Sequence, residues 1–122
     1  MDYLPAGLRE TCRSSAAEHD GGVPPIPAEV FHVNVADMAW VDRLCVNQPL
    51  ATFEQRVRFS GGLDQLFGRT VYISASKYQG SFHQFYDKFS ADLSWRTYSV
   101  ESGHDIMIDA PEQLADILEE VG

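Results

Sequence analysis

The run Thr70-Val71-Tyr72-Ile73-Ser74-Ala75 constrains this chain more than any other feature. It is β-branched and aromatic, of strand length, and apolar enough for a buried strand of a parallel sheet. A short loop, Ser76 to Ser81, separates it from Phe82, Phe85, Tyr86 and Phe89. Those four fall at i, i+3, i+4 and i+7, which predicts one apolar helix face packed on the sheet. Arg96 to Glu101 alternates at period two and predicts a second strand, followed by a turn at Gly103-His104-Asp105. Asp109, Pro111 and Glu112 predict a capping-box start to a last helix, with Leu114, Ile117, Leu118 and Val121 as its apolar stripe. The order β-α-β-α is that of a parallel sheet with crossover helices, so the expected fold class is α/β. Two parallel strands cannot bury both of their faces, and parallel sheets are nearly always built from more. The chain therefore reads as part of a larger sheet whose other strands are missing or come from a second polypeptide.

The first half offers no obvious strand to extend that sheet. Leu4, Leu8 and Cys12 lie one helical turn apart and predict a weak helix over 4–19, stopped by Gly21-Gly22. Val23-Pro24-Pro25-Ile26-Pro27 predicts extended surface chain, because three prolines remove donors and fix φ. Asn34, with Asp37 three residues on, predicts an N-cap for a helix whose stripe is Met38, Val41, Leu44 and Cys45, ended before Pro49. Phe53, Val57 and Phe59 show no clean period, and Ser60-Gly61-Gly62 predicts a turn.

Composition narrows the function. At 122 residues the chain has about one domain's worth of length, and 44% hydrophobic with 22% charged residues is an ordinary globular balance. Nine Lys and Arg against 18 Asp and Glu leave a formal charge of −9. Such an acid excess argues against nucleic acid and against anionic membrane surfaces as partners. No apolar run approaches the roughly 18–20 residues of a membrane span, and Met-Asp-Tyr-Leu-Pro lacks the features of a signal peptide. Cys12 and Cys45 stand far from any CxxC spacing and read as two reduced thiols, making the cytoplasm the expected location.

His104 is the most informative candidate site residue. It follows the second strand at the carboxyl end, where α/β folds place ligands and catalysis. A histidine held there can act as general base toward a serine; the alternative is a turn histidine with satisfied hydrogen bonds. His19, His32 and His83 are scattered, without zinc-ligand spacing, so no metal is expected. Trp40 reads as core on an apolar helix stripe or as a wall of a substrate pocket, and Glu119-Glu120 as solvated charge.

From Ala39 onward the chain resembles the C-terminal part of α/β-hydrolases, in particular the small esterase and hydroxynitrile-lyase-like group. Ala39-Trp40-Val41-Asp42 and Gln48-Pro49-Leu50-Ala51-Thr52-Phe53 look like the end of the lid, and Arg69-Thr70-Val71-Tyr72-Ile73 like the penultimate core strand. Trp95-Arg96 through Gly103-His104-Asp105-Ile106-Met107, with Pro111-Glu112-Gln113-Leu114-Ala115, resembles the last strand, the histidine turn and the closing helix.

The resemblance implies a partial α/β-hydrolase fold, with 1–67 as a lid-like helical segment and 68–122 as the C-terminal part of the core. It implies hydrolysis of a small ester or amide by a Ser-acid-His mechanism, with His104 as the base and no organic cofactor. Hydroxynitrile cleavage also occurs in that group. The chain has no Gly-x-Ser-x-Gly, and Gly80-Ser81 lacks the flanking glycine. The nucleophile and the oxyanion hole are therefore expected elsewhere, leaving this chain inactive alone. The acid also departs from the pattern, since 76–81 holds no carboxylate. Asp87, Asp105 and Glu101 are each poorly placed, and the preferred reading puts the acid on the strand before the lid, outside these residues. A reading of another class remains: a small non-catalytic α/β protein that binds a partner, or itself, through an open sheet edge.

Overall fold

The computed structural model describes residues 6–56, 58, 60, 70–78, 80 and 82–122. It is mixed α/β, and its centre is a parallel pair, β3 (Thr70–Ala75) and β4 (Trp95–Val100). The register runs from Thr70 opposite Trp95 to Ala75 opposite Val100. The first strand falls where its composition puts it, and the second begins one residue earlier than its alternation suggests. Helix α4 (His83–Ser90) crosses between them, and α5 (Ile106–Asp109) and α6 (Pro111–Val121) follow.

Alternation along the strands divides the contacts between two faces. Ile73, Ala75, Tyr98 and Val100 point toward α6, where Val100, Ile106 and Ile117 form the buried cluster. Tyr72 and Trp95 point the other way, toward α4. There Phe89 stacks on Trp95 with ring centroids 3.9 Å apart and lies 5.3 Å from Tyr72. One helix per face leaves the strands thinly covered. Of their residues only Ser74 and Val100 are buried.

Three expectations about the apolar stripes need correction. Phe82 is not on the α4 stripe; it precedes the helix, half exposed, and its ring turns to His104. Leu118 is 55% exposed, because the apolar cluster on the sheet takes Leu114 and Ile117 from α6 and not Leu118. Trp40 is 47% exposed and so is not core, and it does not line the cavity beside His104.

The first half folds locally. Helix α1 (Ala6–Glu18) buries Ala16, one turn beyond Cys12, and ends where Gly21 takes a φ of +81° and its N–H closes on Ala16 O at 2.8 Å. That left-handed position is where glycine costs least. Leu4 lies outside the described residues. The proline stretch is extended, but it begins with a two-residue strand, β1 (Gly22–Val23), paired antiparallel with β2 (Gln48–Pro49). A single 3₁₀ turn, Ala28–Phe31, follows, its first N–H held by Asp42 Oδ1 at 2.8 Å.

Asn34 Oδ1 does accept the Asp37 N–H at 3.2 Å, but this closes a separate turn, and α2 (Met38–Leu44) starts four residues after Asn34. Leu44 and Cys45 on its stripe are exposed. Helix α3 (Leu50–Glu54) occupies the start of the stretch without a clean period. Val57, Phe59 and the Gly61-Gly62 turn fall outside the described residues. No described helix is long and apolar enough to cross a membrane.

The thin cover over the sheet makes a stability prediction. Val100, fully buried, should cost about 1–3 kcal/mol when cut to Ala. Leu93, fully exposed, should change stability by less than about 0.5 kcal/mol on the same substitution. Urea unfolding of both variants checks the contrast.

Candidate active site

Parallel pairing brings the carboxyl ends of β3 and β4 to one edge, so the segments that leave them meet. The ladder continues past the strands: Ser76 N–H donates to Val100 O at 2.8 Å, and Lys77 N–H to Ser102 O at 3.1 Å. Tyr78 and Phe82 from the first segment therefore converge on His104 from the second. Their ring centroids lie 4.9 and 5.5 Å from the imidazole, and Phe82 is close to parallel with it, at 14°.

A third wall comes from the first half of the chain. Phe31, at the end of the 3₁₀ turn, stacks on His104 at 5.2 Å and 29°. The backbone fixes this contact, since the His104 N–H donates to Phe31 O at 2.8 Å. The imidazole thus has two phenyl rings beside it, inclined at 14° and 29°. Its two nitrogens make no hydrogen bond to any described residue, and no buried side-chain nitrogen or oxygen among those residues lacks a partner. The imidazole borders a small cavity of about 190 Å³. Tyr72, Ser74, Tyr78, Phe82 and His83 line it with the imidazole. Tyr72 donates its hydroxyl to Phe82 O at 2.8 Å, and burial pushes its phenol up, so it remains a donor.

Gly103 carries more than a turn. A Cβ there would come 2.1 Å from His32 O and 2.6 Å from Asp109 Oδ2, so the glycine is imposed by close backbone approach. His32 itself adopts a left-handed φ of 57°, and its Nδ1 meets Lys77 O at 3.0 Å.

Asp109 corrects the sequence reading. It does not cap α6, whose N-cap is Ala110 with Pro111 in the first turn. Its carboxylate turns back instead. Oδ2 accepts the Gly103 N–H at 2.9 Å, and Oδ1 accepts the Asn34 N–H at 2.9 Å and Asn34 Nδ2 at 3.0 Å.

No described acid hydrogen-bonds the imidazole. Asp87 is exposed on α4, Glu101 pairs with Lys77 at 3.5 Å, and Asp105 precedes α5. Glu120, expected to be simply solvated, accepts the Tyr98 hydroxyl at 2.9 Å and lies 3.8 Å from Arg96; that hydrogen bond pushes the Tyr98 phenol up. His83 reaches the His104 cavity, whereas His19 bonds only its own helix through Ser15 O. No group of three or more His, Cys, Asp or Glu gathers among the described residues.

His104 is thus a strand-end histidine beside three aromatic rings, with no hydrogen bond to its ring nitrogens among the described residues. Comparison with known proteins finds a similar esterase. A carbendazim hydrolyzing esterase from Nocardioides sp. (strain SG-4G) is 38% identical over 106 residues, covering 86% of this chain and 43% of the relative. The chain is thereby related to an esterase, and spans less than half of that relative's length. No family profile and no solved structure matches it.

The Gly103 contact is directly testable. Gly103→Ala should destabilise the chain by about 1–3 kcal/mol, because the clash is with backbone that cannot swing away. Gly7→Ala, where an added Cβ meets nothing, should be neutral or slightly stabilising in the same urea titration.

Proposed function

We propose that the chain is the lid and C-terminal core of an α/β-hydrolase, with 1–67 as lid and 68–122 as core. In the complete enzyme His104 is the general base of a Ser-acid-His mechanism that hydrolyses a small neutral ester or amide. A serine attacks the carbonyl, His104 takes its proton and passes it to the leaving group, and water releases the acyl group. The observation that carries this reading is the position of His104, which borders a cavity at the carboxyl end of a parallel pair and has no ring-nitrogen hydrogen bond among the described residues.

The chain supplies no Gly-x-Ser-x-Gly, and no described carboxylate bonds the imidazole. In this reading the nucleophile, the oxyanion hole and the acid belong to a part of the enzyme without a counterpart in these 122 residues. Two features support a neutral substrate. The formal charge of −9 repels anions, and the cavity walls are mostly aromatic and aliphatic. Carbendazim, which the related esterase is named for hydrolysing, is the first compound to try.

The test joins this chain to the rest of that relative. Alone, the chain should hydrolyse p-nitrophenyl acetate no faster than free imidazole. A chimera in which the 106 matched residues replace their counterpart should turn over carbendazim. His104→Ala should then lower kcat by about 10⁴-fold or more. Robust turnover by the chain alone would reject the division of the machinery. A working chimera indifferent to His104→Ala would reject the base.

A further inference from the structure

We propose that Asp109 is a positioning residue, a carboxylate clamp that sets the His104 imidazole against Phe31 by tying together two segments distant in sequence. The inference rests on the reading of His104 as the base and adds the residue that holds it.

The geometry is that of a bridge between two backbones. One carboxylate oxygen takes the Gly103 N–H at 2.9 Å. The other takes the backbone N–H of Asn34 at 2.9 Å and its side-chain amide at 3.0 Å. The remaining amide proton of Asn34 goes to Asp37 Oδ2 at 2.7 Å, so the carboxamide is itself held from both sides. Between these anchors, His104 N–H donates to Phe31 O at 2.8 Å. The turn at 103–104 is therefore fastened to 31–34 at two adjacent peptides. Gly103 allows it, since any Cβ would occupy the space between His32 O and the Asp109 carboxylate.

A carboxylate is the side chain this bridge requires. Every group facing it is an N–H donor, and no described cation pairs with it. Charge-assisted bonds to neutral N–H groups are stronger than neutral ones, and an ionised carboxylate is acceptor on both oxygens. An amide of the same shape is not. Asparagine at 109 would present an NH₂ group either to Gly103 or to Asn34, releasing one of the two segments. Placing a reacting group within about 0.5 Å depends on such supports.

The test uses NMR on the 122-residue chain, without substrate, so it judges the clamp separately from the base. In the parent chain the His104 ring protons should be displaced by the flanking Phe31 and Phe82 rings, and the Asn34, Gly103 and His104 amides should be protected from exchange. In Asp109→Asn that displacement should collapse, and protection at those amides should fall by about tenfold or more, while the β3 and β4 amides keep theirs. Asn34→Ala, which keeps the carboxylate but removes one of its donors, should shift the His104 ring in the same direction by less. It is the deciding variant if Asp109→Asn loses β3 and β4 protection as well. Unchanged His104 ring resonances in either variant with an intact ladder would overturn the proposal.

Discussion

Everything distinctive about this chain follows from the parallel pairing of Thr70–Ala75 with Trp95–Val100. An antiparallel pair would send the two following segments to opposite ends. A parallel pair ends both strands together, and here the pairing runs on through Ser76 and Lys77 to Val100 and Ser102. Two segments of quite different sequence are forced to share one edge. That edge is the place where Tyr78 and Phe82 can face His104, and the crossover helix between the strands is what makes the arrangement possible.

What gathers at the edge is chemically selective. An imidazole packed beside Phe31 and Phe82 acts through the nitrogens on its rim. Proton transfer needs only the rim. Neighbouring rings at 4.9–5.5 Å restrict rotation of the imidazole, and the small cavity it borders leaves room for a ligand. Tyr72 contributes indirectly: its hydroxyl bonds the carbonyl of Phe82 and so steadies one of the neighbouring rings. The chain's acidity acts at longer range and disfavours anionic ligands.

The readable parts of the sequence were those governed by local periodicity. Thr70 to Ala75 declares itself by composition, the stripe through Phe85 and Phe89 by spacing, and the turn at His104 by following a strand. Local rules failed where a distant partner outbid them. Asp109, with Pro111 and Glu112 after it, looks like the start of a capping box, yet its acceptors are used by Gly103 and by Asn34, 75 positions away. Gly103 looks like an ordinary turn glycine, and only the approach of His32 O shows why it admits no side chain. The β1–β2 pair, two residues long and containing Pro49, is too short to leave a period. Trp40 and Leu118 mislead in the opposite direction: a helical stripe states which face is apolar, not whether anything covers it.

That last point bears on why a polar clamp lies beside the histidine. Packing fixes a side chain when many neighbours surround it, and the strands here are mostly half-buried, with one helix on each face. A turn at the end of such a sheet has little apolar contact to hold it. Phe31, one of the rings beside the imidazole, sits on a separate segment that precedes α2 and α3 and lies far from the sheet in sequence. Apolar burial is also non-directional, and stacking alone would let the rings slide. Hydrogen bonds from Gly103 and Asn34 to one carboxylate, with the His104–Phe31 peptide bond pair between them, are directional and short-range. They define a position where packing defines only a neighbourhood. A thinly covered sheet and a charged, three-donor clamp are thus two sides of one arrangement: precision at the histidine is carried by polar geometry because the hydrophobic layer around it is too thin to carry it.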